Sequence, residues 1–373
     1  MGYVAVKGGT IAINESINRL KYERLKGGTT LDINEVTNGM RGLIDQIMSE
    51  ASVYSEELAA LAIKQSEGNI EECVFLLRAY RSTLPRKHYS SITETKNMSV
   101  ERRISASFKE ILGGQILGAS YDYTHRLLDF SIVDETKEEV EKWINEYKIQ
   151  NYNTDDGSDL NKLPKVVDYL REQGLIKEES LSNDTPSDIT KESLEFPTKR
   201  SERLQSLTRG QTGAVTSLSY SALRGCGITH PTVGELRVGK LKITIEDPIL
   251  ESEDREEDYY IGEIKVTEVE SFIPVMNEEK DGRGKINFEL GYGLCYGQNE
   301  TKAIAMSILD YCLENPNKSF PTGDEEFVLL SIDSVESTGF MSHLKLPHYV
   351  TFQSELDSVR KTHKGENNYE GEV

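Results

Sequence analysis

Two histidines near the end of the chain are spaced so that they could share a metal ion. His343 and His348 occur in the run SHLKLPHYV, which begins at Ser342. Imidazole is the commonest protein ligand for a borderline metal, and the ammonium of Lys345 between the two histidines suits an anion bound nearby. Pro347 argues against a helix here, so the pair differs from two ligands on one helical face. Two histidines do not complete a tetrahedral site, and spacing alone leaves two purely structural histidines as the alternative.

A polar loop earlier in the chain offers two more metal-binding side chains. Cys226 and His230 lie in the run RGCGITHP, which starts at Arg224. Either could complete a site with the later histidine pair, although their spacing does not single them out. The sequence has no His-Glu-x-x-His motif, which disfavours a zinc hydrolase.

The run YDYTHR concentrates groups suited to acid–base chemistry and ligand binding. Asp122 offers a carboxylate, His125 a proton donor or acceptor, and Arg126 a cation. Tyr121 and Tyr123 add aromatic surfaces. Neighbours in sequence point in different directions, so these side chains cannot all reach one pocket. A structural polar network is the alternative interpretation.

Two glycine-rich stretches are candidate sites of close backbone approach. Lys7, Gly8 and Gly9 follow a predicted short strand and precede a helical pattern, so backbone N–H groups and the helix N-terminus could bind an anion there. A plain strand-to-helix turn is the alternative. The run GYGLCYG from Gly291 also precedes a predicted helix, but its glycine spacing does not match a dinucleotide-binding fingerprint. We therefore reject a Rossmann-type site and retain a glycine-rich turn that lets another backbone approach.

The charge distribution limits the classes of partner. The 373 residues carry a formal net charge of -20, which argues against a general nucleic-acid binder. Residues 131–196 and 246–258 hold most of this acidity, whereas residues 76–109 and 199–242 each hold 8 basic and 2 acidic side chains. Each basic segment is either a solvated surface or part of a site for a small polyanion such as a nucleoside triphosphate.

The remaining bulk properties indicate a cytoplasmic protein. No apolar run approaches the roughly 20 residues that span a bilayer, and the N-terminus lacks the features of a signal peptide. The four cysteines are scattered without a Cys-x-x-Cys motif, which is typical of reduced thiols. We therefore predict a cytoplasmic location with no membrane and no nucleic-acid partner.

Hydrophobic periodicity predicts an α+β fold, in which a helical N-terminal half precedes a mixed, β-rich C-terminal half. Asp32 and Glu35 form a capping-box pattern at the start of a helix that continues through Ile47. Further helices are predicted at residues 56–65, 70–81, 163–173 and 299–313, and strands at residues 241–245, 264–267 and 327–332.

These patterns divide the chain into four predicted segments. Residues 1–130 form a mainly helical domain, and residues 131–198 an acidic, partly ordered insertion or linker. Residues 199–360 form a mixed α+β domain that carries the His343 and His348 segment. Residues 361–373 form a flexible tail.

Six motifs taken together resemble the I subunit of the bacterial carbon–phosphorus lyase core complex, which degrades phosphonates. The two most specific are YDYTHRLLDF from Tyr121 and SHLKLPHYV from Ser342. The others are residues 1–9, the helices at residues 58–81 ending in FLLRAYR, ERRIS at residues 101–105, and HP at residues 230–231 with GE at residues 234–235. The resemblance spans nearly the whole chain, apart from the two acidic stretches.

The resemblance implies a cytoplasmic enzyme subunit inside a larger assembly. Family members act with G and H subunits, with the iron–sulfur lyase subunit, and with ATP-binding-cassette-like L and K subunits, and two copies of the I subunit are expected. The family displaces the adenine of ATP with methylphosphonate, giving ribose 1-methylphosphonate 5-triphosphate, and the isolated I subunit acts as a purine nucleosidase on ATP or GTP. The two family histidines that bind zinc in a shared site near the lyase subunit match His343 and His348. A non-catalytic scaffold that presents the ligand is the alternative.

This reaction suggests roles for particular residues. Displacement at the anomeric carbon passes through an oxocarbenium-like transition state, which needs a carboxylate, a proton donor for the purine and cations for the triphosphate. Asp122 is the predicted catalytic carboxylate and His125 the predicted acid. The predicted substrate-binding residues are Lys7, Gly8, Gly9, Arg102, Arg103, Tyr121, Tyr123, Arg126 and Lys345.

Overall fold

The computed structural model describes residues 9–107, 121, 126–151, 163–176, 185–225, 230–246, 258–278, 284–317, 319–344 and 349–366. Across these ranges, helices surround one four-stranded antiparallel sheet, which confirms the predicted α+β fold. None of the helices in these ranges is long and apolar enough to cross a membrane.

The α-helices occur before the first strand, between the first and second strands, and after the fourth strand along the described parts of the chain. The helices are α1 (Gly9–Leu25), α2 (Ile33–Gly39), α3 (Arg41–Ala51), α4 (Glu56–Gln65), α5 (Ile70–Ser82), α6 (Lys137–Asn151), α7 (Val166–Glu172), α8 (Arg200–Arg209), α9 (Thr212–Gly225), α10 (Glu300–Glu314), α11 (Glu325–Ser331), α12 (Ser334–His343) and α13 (Tyr349–Glu366). The strands are β1 (Ser99–Ser105), β2 (Thr232–Ile245), β3 (Tyr259–Glu278) and β4 (Gly284–Tyr296).

Helices α2 to α5 form a small bundle around one apolar cluster that includes Ile47 and Met48. Asp32, Ser55 and Asn69 accept hydrogen bonds from N–H groups in the first turns of α2, α4 and α5. These bonds satisfy donors that have no partner inside the helix. The helices predicted at residues 56–65 and 70–81 are confirmed.

The long helix predicted from Asp32 onward is two helices. Asp32 accepts a hydrogen bond from the Asn34 N–H at 2.8 Å, which confirms the N-terminal cap. However, α2 ends at Gly39, and Met40 adopts φ -117° and ψ 40°, outside the helical region. Asn38 and Gly39 are poor helix formers, so the chain turns here before α3 begins.

The sheet has the strand order β1-β2-β3-β4. The predicted strands at residues 241–245 and 264–267 lie in β2 and β3 and are confirmed. Strand β1 comes from the first basic segment and pairs with β2, so that Arg103 lies opposite Arg237. The sheet therefore joins the first third of the chain to its second half. All of its strand pairs are antiparallel, whereas a Rossmann fold has a mostly parallel sheet, which agrees with the rejection of a Rossmann-type site.

One face of the sheet packs so closely on α10 that only glycine fits at two positions of β4. A Cβ atom at Gly291 would lie 2.0 Å from the Ser307 carbonyl oxygen, and one at Gly293 would lie 2.0 Å from that of Ala303. The predicted close backbone approach is thus confirmed, but the prediction of a turn here is wrong because both glycines lie inside a strand. The predicted helix that follows is confirmed as α10.

The strand predicted at residues 327–332 is helix α11 instead. Asp324 accepts a hydrogen bond from the Phe327 N–H at 3.0 Å and caps the helix. Val328 and Leu329 are buried, whereas Phe327 is exposed. A short apolar run does not distinguish a buried strand from a buried helix by periodicity, and the aspartate cap was the signal that sequence reasoning missed.

Residues 163–176, from the predicted acidic linker, pack on the sheet face opposite α10. They contain α7 at the position of the predicted short helix. Val166 and Val167 are buried against Phe272 of β3, and Ile176 forms a bridge with Phe288 of β4. Helix α13 continues to Glu366, beyond the residue at which the flexible tail was predicted to begin. The division into domains stays a prediction.

Candidate functional site

The residues predicted to carry the chemistry fall into two groups. Outside the described residues lie Asp122, His125, Lys7, Gly8, Tyr123, Lys345 and His348. Within the described residues lie Gly9, Arg102, Arg103, Tyr121, Arg126 and His343. The predictions for the first group stay predictions, whereas the structure shows the surroundings of each residue in the second group.

His343 is the last residue of α12, and its side chain is half-buried. The prediction that this segment is not helical is wrong at His343, although α12 ends four residues before Pro347. The carbonyl groups at a helix C-terminus carry partial negative charge, which favours a cation bound beside this imidazole. The described residues contain no group of three or more His, Cys, Asp or Glu side chains placed to hold a metal ion. Of the two predicted zinc ligands, the described residues include only His343, and His348 lies beyond them.

A cleft of about 1080 Å³ opens beside the C-terminal part of α12. Thr338, Gly339 and Ser342 form one wall, and α1, α4 and α5 supply the others. The charged side chains that line it are Lys21, Arg24, Lys64, Glu67, Glu71 and Glu72. A cleft of this size accommodates a nucleotide-sized ligand. Ser342, which lines this cleft, is the residue before the predicted zinc ligand His343. The cleft is therefore a candidate substrate site beside that ligand.

Arg78 fixes α12 to the helical bundle. Its Nη1 donates to both carboxylate oxygens of Asp333, at 2.8 and 3.0 Å. Asp333 in turn caps α12 by accepting hydrogen bonds from the N–H groups of Val335 and Glu336. The position of His343 therefore depends on a cap that Arg78 holds in place.

Arg102 and Arg103 are buried and already paired with carboxylates. Arg102 Nε donates to Glu300 Oε1 at 2.7 Å, and its Nη2 donates to Oε2 at 3.2 Å. Arg103 Nη2 lies 2.5 Å from Glu235 Oε1. Both side chains point into the protein, on opposite faces of β1. The geometry gives them structural roles, and their predicted contact with a triphosphate stays untested.

Tyr121 and Arg126 lie together at the two ends of the predicted polar cluster. Arg126 Nε donates a hydrogen bond to the carbonyl oxygen of Tyr121, and both side chains are exposed. Gly9 begins α1 with φ +50°, a conformation that glycine adopts without strain. That conformation agrees with a glycine-dependent turn before the helix.

A row of buried charged side chains crosses the sheet on the face opposite α10, and sequence reasoning missed it. It consists of Arg103 in β1, Glu235 and Arg237 in β2, and Glu268 and Glu270 in β3. Arg237 Nε donates to Glu268 Oε2 at 3.0 Å. The signal in the sequence is charge at every second strand position, because residues i and i+2 share a face of a sheet.

The charged row anchors α7. Lys165, the residue before the helix, forms ion pairs with both Glu268 and Glu270. The N–H of Val166 donates to Glu235 Oε2 at 2.9 Å. A carboxylate at a helix N-terminus also interacts favourably with the helix dipole. Residues 163–176 are therefore held to the sheet by ion pairs as well as by apolar packing.

Glu268 and Glu270 of β3 have carboxyl pKa values that are shifted in opposite directions. Burial opposes the ionisation of Glu268, but Arg237 and Lys165 outweigh it and lower the pKa of this carboxyl to about 2. Burial raises the pKa of Glu270 to about 7, since Lys165 offsets only part of the cost. Among the described residues, Glu270 Oε2 has no hydrogen-bond partner. The row therefore contains one carboxyl group that gains or loses a proton near neutral pH.

Comparison with known proteins decides the family. A family model described as "Bacterial phosphonate metabolism protein (PhnI)" matches residues 2–366. This chain belongs to the PhnI family. All the residues predicted from the sequence to carry chemistry fall within the matched range, and the resemblance found from the motifs is confirmed.

Two curated PhnI proteins show how far the similarity extends. The alpha-D-ribose 1-methylphosphonate 5-triphosphate synthase subunit PhnI of Rhizobium meliloti (strain 1021) is 41% identical over 371 residues, which cover 96% of this chain and 94% of that protein. The protein of the same description from Escherichia coli (strain K12) is 40% identical over 373 residues, covering 98% of this chain and 99% of that protein. The similarity therefore extends over both proteins nearly from end to end.

Proposed function

We propose that this chain displaces the purine of ATP with a phosphonate, and that without its partners it hydrolyses ATP or GTP to release the purine. With methylphosphonate the product is ribose 1-methylphosphonate 5-triphosphate. The observation that carries the proposal is the near full-length similarity to two proteins described as subunits of the synthase that makes this compound.

The displacement exchanges one bond at the anomeric carbon for another. An oxygen of the phosphonate forms a bond to C1′ of the ribose, and the C1′–N9 bond to adenine breaks. The electron pair of the broken bond stays on adenine, which takes up a proton. In the hydrolytic reaction, water supplies the attacking oxygen and loses a proton, and the triphosphate is unchanged in both.

The proposal gives each predicted residue a role in this exchange. Asp122 stabilises the positive charge that develops on the ribose, and His125 protonates the departing purine. The aromatic rings of Tyr121 and Tyr123 supply stacking surfaces for the purine, and Arg126 supplies a cation for the triphosphate. The remaining predicted contacts to substrate are those of Lys7, Gly8, Gly9, Arg102, Arg103 and Lys345.

The proposal includes zinc at the His343 and His348 segment. The half-buried imidazole of His343 at a helix C-terminus suits a cation, and the remaining coordination positions are left for substrate, water or a partner subunit. A zinc ion held there would supply a Lewis acid for an oxygen of a phosphate or phosphonate. Lys345 between the two histidines would add a positive charge for the same anionic group.

The proposal places the chain in a cytoplasmic multi-subunit complex. The relatives are described as subunits, which supports an assembly with partner chains. The proposed partners are the G and H subunits, the iron–sulfur lyase subunit and the ATP-binding-cassette-like L and K subunits, with two copies of this chain in each complex.

One observation favours a second function, in which the chain binds ligand for another subunit and does not catalyse. Arg102 and Arg103, two of the predicted triphosphate contacts, are occupied by Glu300 and Glu235. The purified chain incubated with ATP, alone and with the G and H partners, separates the two functions. Adenine measured by liquid chromatography supports catalysis, and its absence under both conditions supports the scaffold.

A further inference from the structure

The two basic segments of the sequence, which pair as β1 and β2 in the sheet, also meet near the ends of α5 and α8. Arg78, Arg81 and Arg86 come from the first segment, and Arg209, the last residue of α8, comes from the second. The Arg78 guanidinium donates to the carbonyl oxygen of Arg209 at 3.0 Å. Four arginines therefore gather near the C-terminal ends of α5 and α8, in a chain whose net charge is -20.

Two of these four arginines are neutralised by carboxylates. Arg78 forms an ion pair with Asp333 at 2.8 Å. Arg86 forms one with Asp188 at 3.2 Å. Both aspartates have further hydrogen bonds, Asp333 to the first turn of α12 and Asp188 to Thr190.

Arg81 and Arg209 are compensated less completely, because Asp188 attracts both of them and Asp333 attracts Arg209 only from beyond ion-pair distance. Among the described residues, neither has a carboxylate within ion-pair distance, and each makes one long hydrogen bond to the same residue. Arg81 Nη1 lies 3.4 Å from the Ser52 carbonyl oxygen, and Arg209 Nη1 lies 3.4 Å from Ser52 Oγ. The two guanidinium groups therefore converge on Ser52, and their other N–H groups have no hydrogen-bond partner within the part of the chain that the structure describes.

This arrangement is unfavourable for two cations without a bound anion. Burial, together with Arg78 and Arg81, lowers the pKa of Arg209 to about 10. Burial and the neighbouring Arg86 also lower the pKa of Arg81. An anion bound between the two guanidinium groups would raise the pKa values of both, because it adds an attractive charge and accepts hydrogen bonds from their remaining N–H groups.

We propose that Arg81 and Arg209 bind a phosphoryl or phosphonyl group. A tetrahedral oxyanion matches two guanidinium forks, each of which can donate two parallel hydrogen bonds. Arg209 also lines an open groove of about 730 Å³, which gives an anion a route from solvent. Glu192, Asp333 and Glu336 also line this groove and would repel an anion elsewhere in it. The arginine end of the groove therefore suits a small anion or the anionic end of a longer ligand.

This anion site is separate from the segment that carries His343. Arg209 lies near Asp333, at the N-terminal end of α12, whereas His343 ends the same helix. Ten residues of helix span about 15 Å. The inference does not rest on the proposed function, because binding of inorganic phosphate requires no turnover.

Titration calorimetry with the full chain in low-salt buffer tests the site. The probes are inorganic phosphate, methylphosphonate, inorganic tripolyphosphate and ATP, which together identify the source of the anionic group. We expect saturable binding of at least one probe, weakened about tenfold by Arg81→Gln or Arg209→Gln and about a hundredfold by the double variant. Lys137→Gln with Lys148→Gln removes two exposed charges from α6 and should change the affinity less than about twofold.

Thermal unfolding without added anion distinguishes this role from a structural one. Because the double variant removes like charges that repel, we expect its Tm at low salt to equal or exceed that of the wild type, and phosphate should raise only the wild-type Tm. If the glutamine variants do not fold, Arg81→Lys with Arg209→Lys keeps the charge, loses the forks and should bind with intermediate affinity. The absence of saturable binding in the wild type would overturn the inference and would leave a carboxylate of a partner protein as the occupant. Equal binding in the wild type and the double variant would also overturn it.

Discussion

Arg78 and Asp333 join the N-terminal bundle to the helix that carries His343. The Arg78 Nη1 donor lies 2.8 and 3.0 Å from the two carboxylate oxygens of Asp333. Burial alone would raise the pKa of Asp333, but Arg78 outweighs it, so the pKa of this carboxyl is below its ordinary value. The other nitrogens of Arg78 donate to the carbonyl oxygens of Glu50 and Arg209, near the C-terminal ends of α3 and α8.

Arg78→Lys should therefore destabilise the protein although the charge is kept. An ammonium group cannot serve three acceptors in the geometry of a guanidinium fork, so Asp333 and the two helix ends lose bonds. We expect the free energy of unfolding to fall by about 3 kcal/mol in urea denaturation. Arg41→Lys, at an exposed position of α3, is the matched control and should change it by less than about 0.5 kcal/mol. Equal stability of both variants would contradict the anchoring role.

Gly293→Ala should separate α10 from the sheet. The new Cβ atom would lie 2.0 Å from the Ala303 carbonyl oxygen, so the helix or the strand must move. We expect a loss of about 3 kcal/mol or more in the free energy of unfolding, measured by chemical denaturation.

Gly42→Ala is the control for that substitution. Nothing lies within 4 Å of a Cβ atom at Gly42, which is in α3. Because alanine favours a helix more than glycine does, this variant should gain about 0.5–1 kcal/mol. A Gly293→Ala protein as stable as the wild type would show that the contact between β4 and α10 is looser than described.

Glu270→Gln should stabilise the protein in a pH-dependent way. The folded-state pKa of Glu270 is about 7, above its ordinary value of 4.5. Below pH 4.5 the carboxyl is protonated in both the folded and the unfolded state. As the pH rises from 4.5 to 7, the unfolded state loses its proton first, so the wild type loses stability, on the order of 3 kcal/mol in total. Glutamine stays neutral and avoids that loss.

The measurement is the free energy of unfolding of both proteins between pH 4.5 and 8. The difference in favour of Glu270→Gln should be largest at pH 8 and should vanish near pH 4.5. Glu263→Gln, an exposed position on the same strand, should show no comparable trend. A difference that is constant with pH would mean that Glu270 does not titrate in this range.

The sequence predicted several of the helices, two of the strands and the family, but it gave α11 as a strand, joined α2 to α3, and did not show how charged residues are distributed on the sheet. Hydrophobic periodicity and caps act locally, and so α4, α5 and α10 could be located from short windows. The ion pairs of Arg103 with Glu235 and of Lys165 with Glu270 join residues far apart in the chain, and no local pattern identifies such partners. For the same reason, the sequence did not show that Arg102 and Arg103, which were predicted to contact the triphosphate, are buried and paired with carboxylates.

Zinc content tests the histidine pair directly. His343→Ala with His348→Ala should remove zinc from the purified complex, because both proposed imidazole donors are lost. Elemental analysis of the wild type, the double variant and a His88→Ala control, whose histidine is exposed, gives the comparison. Zinc retained in the double variant would assign the metal to other residues.

Asp122→Asn tests the proposed catalytic carboxylate. Loss of the negative charge should reduce adenine release from ATP by at least about a hundredfold, while the complex still assembles. Asp134→Asn, an exposed position nearby in sequence, should retain activity. Wild-type turnover in Asp122→Asn would remove this residue from the mechanism.

The proposed exchange of the purine of ATP for a phosphonate can be followed through both of its products. The most direct measurement incubates the complex that contains this chain with ATP and methylphosphonate, and follows free adenine by chromatography and phosphorus products by ³¹P NMR. We expect one adenine to be released for each ribose 1-methylphosphonate 5-triphosphate formed, and neither product when this chain is omitted. Formation of both products without this chain, or of neither product with it, would contradict the proposed function.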